Sequence, residues 1–288
     1  MAENLRIVAM NAVLYGYQLI ADWAERRGHH ITLVVTPPAS RLKRYGDAPH
    51  LPLVLPESQD VLVSAKLDTV APRAIAALEP DLVISSAFPR RIPTEITAIP
   101  RYGAVNLHPA PLPRGRGLNP LRHIYEGDEV VGATLHRIEP EFDAGAILSQ
   151  RIRPLPADVS GQVIYEMWTQ MLAEVLDEGT ERAIKGDYGT PQDEAQATYP
   201  AQFTPEERLL DWDEPARTVQ CRAAALNVRT PIARARIGDE EVLVYDVRCL
   251  TSSAPAGAPG TIVERFDDGV VVRVRDGAVR VTTRRTAT

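Results

Sequence analysis

The stretch "LRIVAMNAVLYGYQLIADWAERRGHHITLVV", Leu5 to Val35, decides the fold class because its pattern runs strand, helix, strand. "LRIVAM" (Leu5–Met10) is a short apolar run of buried-strand type. From Tyr15 to Arg27 the pattern is helical, with Leu19, Ile20 and Trp23 at i, i+1 and i+4, and Gly28 stands where a C-cap glycine belongs. "ITLVV" (Ile31–Val35) is the next strand, stopped by Pro37 and Pro38. Such a βαβ unit implies parallel strands joined by a right-handed crossover.

Working outward, the alternation continues. A helix is expected near Thr69–Leu78 with Thr69 as its N-cap, then the strand "DLVISSA", the short "IPTEIT" and the strand "GAVNL". The strands "VGATLHRI" and "AILSQRI" follow. A long helix is expected from Ser160 to about Lys185, with Ile164, Met167, Trp168, Met171, Leu172 and Val175 as a core-facing stripe. The periodicity then fades into "GDYGTPQDEAQATYPAQFTP", which reads as a linker. Beyond it come a helix (Pro215–Leu226) and the strands "VLVYDVRCL", "GTIVERF", "VVVRVR" and "AVRVTT", with hairpin turns at Asp268-Gly269 and Asp276-Gly277. The expected architecture is α/β, a Rossmann-like, mostly parallel sheet, followed by a small OB-like β-barrel. The expected boundaries are 1–185, a linker over 186–208, and 209–288.

The chain has 288 residues, 44% hydrophobic and 24% charged, as a globular protein with a sizeable core has. A net charge of -6 counts against a surface built throughout for nucleic acid. Cys221 and Cys249 have no metal-ligand spacing and are expected to be reduced. The apolar run in "MAENLRIVAM" is too brief for a signal sequence, and none approaches the ~18 residues of a membrane span. A cytoplasmic protein with no membrane partner is expected; its oligomeric state is left open.

The chemistry-bearing stretch is "AVNLHPAPLPRGRG" (Ala104–Gly117). Asn106 and His108 are two apart at a strand end, expected in the middle of the parallel run, so both side chains face one crevice. Pro109, Pro111 and Pro113 stiffen the backbone behind them. Their spacing is not that of a PxxP ligand. A zinc site drawing on His108, His123 and His136 lacks any HExxH or cysteine pair to support it, so no metal is expected. Asp143, in "EPEFDAGAIL", is a carboxylate able to orient a histidine or collect its proton, although Asp-x-Gly alone is more often a turn.

Taken as a unit, "NLHPAPLPRGRGLNPLRHIYEGDEVVGATLHRIEPEFDAGAIL" resembles the 10-formyltetrahydrofolate-dependent formyltransferases. The likeness rests on Asn106-x-His108, "APLP", Arg116-Gly117, Pro120, Gly132-x-Thr134 and Asp143-x-Gly145, and is strong over Pro80–Gln150. A weaker likeness to methionyl-tRNA formyltransferases runs from Pro191 to Asn227. The resemblance implies an enzyme using 10-formyltetrahydrofolate, with Asn106, His108 and Asp143 as catalytic centre. Asn106 and His108 would donate to the oxyanion formed when an amine attacks the formyl carbon. Losing one such donor costs about 2.7–4 kcal/mol. Asp143 would hold His108 and help remove the amine's proton. The pterin would be bordered by Ser86, Ala87, Phe88, Arg90, Arg91, Ile138, Glu139 and Asp143.

The acceptor side departs from the methionyl-tRNA pattern. Where those enzymes have Gly-Thr-Pro after the first strand, this chain has "MNAVLYG", which makes Asn11 and Tyr15 candidate acceptor contacts together with Ala110 and Arg116. Ala110 stands where the family has a serine. The loop "TPPASRLKRYGDAP" offers only Arg41, Lys43 and Arg44 as cations, few for tRNA. In the C-terminal part Arg273, Arg275, Arg280, Arg284 and Arg285 are interleaved with acids. The expected acceptor is therefore the primary amine of a small biosynthetic intermediate, with methionyl-tRNA as the alternative. Formyl-folate hydrolysis and a non-enzymatic binding module are the remaining readings.

Overall fold

The computed structural model describes residues 4–42, 48–250 and 256–284. Lys43, Arg44 and Arg285 lie outside the described residues. The chain forms two compact units, one of Met1–Gly117, Gly132–Arg151 and Thr169–Thr198, the other of Leu118–Val131, Ile152–Trp168 and Tyr199–Thr288.

The first unit is built on a seven-stranded sheet. Its strands are β1 (Arg6–Asn11), β2 (His30–Thr36), β3 (Val61–Val63), β4 (Leu82–Ser86), β5 (Ala104–His108), β6 (Val130–Arg137) and β7 (Ile147–Pro154), in the order β3-β2-β1-β4-β5-β6-β7. The pairs from β3 to β5 are all parallel, and β5 pairs antiparallel with β6. The mostly parallel sheet is as expected, but β5 closes the parallel run rather than lying in its middle. Asn106 and His108 therefore face a strand of opposite direction. β6 ends opposite Val105, near the start of β5, so the segment that follows folds back along β5 to bring Asp143 to Asn106 and His108.

Strand alternation divides the burial. Val8 and Met10 of β1 pack with Leu33, Val35 and Val83, beneath α2 (Val70–Ala76) and α3 (Thr94–Thr97). The alternate residues, Asn11 among them, face α1 (Leu14–Arg27), whose Gly16 lies so close that a Cβ there would stand 2.8 Å from the Ser86 carbonyl oxygen. Gly28 ends α1 with a left-handed φ of 69°, and its N–H bonds back into the last turn, as the sequence predicts. Thr69 stands at the N-cap position of α2, but its side chain makes no cap hydrogen bond. A short helix, α4 (Arg122–Tyr125), precedes the long helix α5 (Gly161–Ile184). Gly179 of α5 lets the helix lie directly on Leu135 and Ser149 of the last two strands.

The second unit carries α6 (Ala216–Leu226) and six strands among the described residues. β8 (Arg234–Ile237) and β9 (Glu240–Leu243) form a two-stranded sheet. β10 (Asp246–Cys249), β11 (Ile262–Phe266), β12 (Gly269–Arg273) and β13 (Ala278–Thr282) form an antiparallel sheet in the order β10-β13-β12-β11. These antiparallel strands are consistent with the expected small barrel-like domain. Val219, Ala223 and Leu226 of α6 join Val247, Val272, Val279 and Val281 in one core. The single strand expected over Val242–Leu250 is two strands: Val244 N–H bonds Ala233, whereas Tyr245 N–H bonds Thr282, so the chain changes sheets there. Arg217 pairs with Glu129 at 2.7 Å and donates to the carbonyls of Pro156 and Ala157, tying earlier segments into this unit. No helix of the described residues is long and apolar enough to cross a membrane.

Candidate active site

At the carboxyl end of β5, Asn106 is directly opposite His136 of β6 in the sheet register, and His108 opposite Thr134. Asp143 enters from the β6–β7 connection with a left-handed φ of 54°, a backbone state rare for a residue with a Cβ. Gly145 permits the turn, because a Cβ there would lie 2.0 Å from the Arg137 carbonyl oxygen. The three residues picked from the sequence do meet. Asn106 Nδ2 donates to Asp143 Oδ1 at 3.1 Å, and His108 Nδ1 stands 3.6 Å from Asp143 Oδ2.

The hydrogen-bond partners fix the protons. His108 Nε2 is 2.7 Å from the Gly115 carbonyl oxygen, which only accepts, so Nε2 carries a hydrogen. His136 Nδ1 is 2.7 Å from the Arg137 carbonyl oxygen, so it also donates. His136 Nε2 lies 3.2 Å from Asn106 Nδ2 and 3.4 Å from Asp143 Oδ1. Asn106 Nδ2 thus stands within hydrogen-bond reach of both Asp143 and His136. Burial works to raise the Asp143 pKa. The neighbouring His108 and His136 rings and the Gly117 N–H, 2.7 Å from Oδ2, override it and hold the carboxyl well below the usual carboxylate range.

A cleft opens beside this cluster, lined by Ser85, Phe88, Arg90, Arg91, Ile92, Asn106, His136, Ile138, Glu139, Pro140, Phe142 and Asp143. Of the expected pterin-bordering residues, Phe88, Arg90, Arg91, Ile138, Glu139 and Asp143 line it. Ser86 does not, and the reason is the period of two. Ser85 pairs in register with Asn106 and shares its face, whereas Ser86 turns toward α1 and is buried. Ala87 is not on the cleft wall; its left-handed φ of 51° turns the chain between β4 and Phe88. Phe88, Ile92, Ile138 and Phe142 are apolar walls suited to a flat heterocycle, with Arg91 stacked over the Phe142 ring at 5.2 Å. Arg90 donates to the Ser64 carbonyl, and desolvation with nearby Arg41 lowers its pKa.

The expected acceptor contacts fare differently. Asn11 is fully buried and donates to the Ser86 carbonyl at 2.9 Å. Ala110 is also fully buried, and its carbonyl accepts from Thr134 Oγ1 at 2.8 Å, so it presents no side-chain atom to a bound molecule. Arg116 has no exposed surface, and its guanidinium binds Gln192 and Glu194. Tyr15, in the first turn of α1, is the one of the four that is partly exposed. His136 was considered in the sequence only as a metal ligand. Its signal was parity: it stands two residues after Thr134 on a strand antiparallel to Asn106. His123 binds the Val130 carbonyl at 3.2 Å.

Residues 7–176 match the family described as Formyl transferase, and residues 202–288 match Formyl transferase, C-terminal domain. A methionyl-tRNA formyltransferase of Pseudomonas syringae pv. syringae is 32% identical over 294 residues, covering 98% of this chain and 90% of that protein. The crystal structure of HypX from Aquifex aeolicus in complex with tetrahydrofolic acid superposes with a TM-score of 0.71 at 23% identity. It covers 97% of this chain, which spans only 44% of HypX. An N-formyltransferase from Helicobacter canadensis, solved with folinic acid and dTDP-3-aminofucose, gives a TM-score of 0.69 at 13% identity, with 98% and 99% of the two chains covered. These two likenesses are of fold.

Proposed function

This chain belongs to the formyl transferase family, and from that premise we propose that it transfers a formyl group from 10-formyltetrahydrofolate to the primary amine of a small molecule. The observation that carries the reading is the Asn106–His108–Asp143 cluster, of which Asn106 and Asp143 line a cleft with apolar walls and His108 is buried behind them. The folate supplies the formyl group when bound, and the cleft residues fit its flat ring system. Asn106 Nδ2 and His108 Nε2 are the donors nearest the reacting centre, and both can exchange their present acceptors for a developing oxyanion. Asp143 keeps its carboxylate form, and with His108 Nδ1 beside it provides a place for the amine's proton.

A small acceptor is favoured by the charge pattern of the C-terminal unit. There Arg280 pairs with Asp268 at 2.9 Å, Arg248 with Asp246 at 2.9 Å and Arg234 with Glu241 at 3.2 Å. Cations already held by carboxylates are poor phosphate contacts. Methionyl-tRNA is the second reading, favoured by the relative that matches along 98% of this chain. The test is a formylation assay with 10-formyltetrahydrofolate and a panel of amino sugars, hydroxylated diamines and methionyl-tRNA, with products read by mass spectrometry. Formylation of methionyl-tRNA alone would sink the small-acceptor reading, and no product with any amine would sink formyl transfer itself.

A further inference from the structure

The stretch Pro191–Thr198 reads as linker in the sequence, yet in the first unit it reaches both loops that make the site. Gln192 Nε2 donates to the carbonyl oxygens of Asp143 at 2.7 Å and Gly145 at 2.8 Å. Its Oε1 accepts from Arg116 Nε at 3.0 Å and Nη2 at 2.9 Å. The two N–H groups and both lone pairs of one amide are thereby satisfied, and chemistry fixes its orientation. Carbonyls only accept and a guanidinium only donates, so the amide cannot flip. Arg116 is in turn held by Glu194 through Nη1 at 2.9 Å and Nη2 at 2.6 Å. Two further bonds tie the same segment to the other loop: Gly115 N–H donates to Thr198 Oγ1 at 2.8 Å, and Arg116 N–H to the Thr198 carbonyl at 3.0 Å.

We propose that Gln192 is a positioning residue for the formyl-transfer reaction, bridging Arg116 to the Asp143 and Gly145 carbonyls so that the Asp143 carboxylate is held against His108 and the Gly117 N–H. Asp143 needs such support. Its left-handed backbone persists only where surrounding contacts over-determine it. Gln192 holds the carbonyl of that same residue, and Arg116 directly precedes the Gly117 N–H that binds its carboxylate. One side chain therefore sets the spacing between the loop that carries the carboxylate and the loop that receives it.

The inference rests on the formyl-transfer reading, and its test separates the two. Gln192→Glu is close to isosteric and keeps acceptors for Arg116, but it places a carboxylate against two carbonyls. Gln196→Ala, in the same segment but bonded only to exposed Asp193, is the control. In Gln192→Glu, kcat is expected to fall about 10²-fold, more than KM rises, as displacement of a reacting group by about 1 Å does. The second readout needs no activity: the ¹³C resonance of the Asp143 carboxyl, assigned with Asp143→Asn, followed from pH 7 downward in the folded protein. The groups facing this carboxyl are the Asn106 amide and His108 of β5, His136 of β6 and the Gly117 N–H. In wild type and Gln196→Ala the resonance is expected to remain that of a carboxylate down to at least about pH 4. In Gln192→Glu, protonation is expected to begin at higher pH. An unmoved Asp143 titration overturns the proposal whatever the rate does, and so does a moved titration with full kcat. If wild type formylates no acceptor, the formyl-transfer reading fails, while the titration still reports whether Gln192 holds Asp143.

Discussion

Asp143 keeps a negative charge where burial alone would neutralise it, and everything around it is arranged to that end: two imidazoles, one backbone N–H and one amide. Replacing His108 by Ala, or Asp143 by Asn, is expected to lower kcat for formyl transfer about 10²–10⁴-fold, read by initial rates with saturating 10-formyltetrahydrofolate. A stability consequence follows from the direction of the shift. A carboxyl depressed in the folded state stabilises the fold above its unfolded pKa, and that contribution is lost as pH falls toward the folded value. The stability difference, wild type minus Asp143→Asn, is therefore expected to shrink below about pH 4, measured by urea unfolding at stepped pH. At this scale the sequence exposed Asn106, His108 and Asp143 because motif spacing carries them. It hid His136, whose role depends on which strand lies beside β5. It did not show that Asn11, Ala110 and Arg116 are buried, since burial is set by helices and loops far away in the chain.

At the scale of elements, the proline-rich loop is fastened to the strands beside it. Thr134 Oγ1 donates to the Ala110 carbonyl at 2.8 Å, and Gln150 Nε2 to the Leu112 carbonyl at 2.8 Å. Gly132 gives this loop its room, for a Cβ there would lie 2.5 Å from the Pro111 nitrogen. Gly132→Ala is expected to destabilise the protein by about 1–3 kcal/mol, read as a lower urea midpoint with unchanged slope. The parallel strands and the helices α1, α5 and α6 were legible because each carries a sustained period. β3 is an apolar run of only three residues, too short to show a period, and β8 alternates arginine with alanine and isoleucine. The break between β9 and β10 was hidden because Val244 and Tyr245 continue the strand-like composition while exchanging hydrogen-bond partners.

For the whole molecule, the acceptor decides how the reaction responds to salt. With a small amine as acceptor, kcat/KM is expected to change little between 50 and 200 mM salt, whereas binding through many phosphate contacts loses about 10³–10⁵ in affinity over that range. Stopped assays across a salt series check this. The α/β and antiparallel parts were legible from patterning, whereas long-range pairs such as Arg217 with Glu129, which tie earlier segments to the second unit, carry no local signal. The hydrogen bonds from Gln192 and Thr198 also have a meaning in time. A chain leaving the ribosome presents β5 and the Asp143 turn well before residues 192–198 emerge, and domains generally fold as units. Until that late segment arrives, the two loops lack the bonds that close them on each other. The cluster proposed as catalytic is thus completed only when the last segment of its unit has been made.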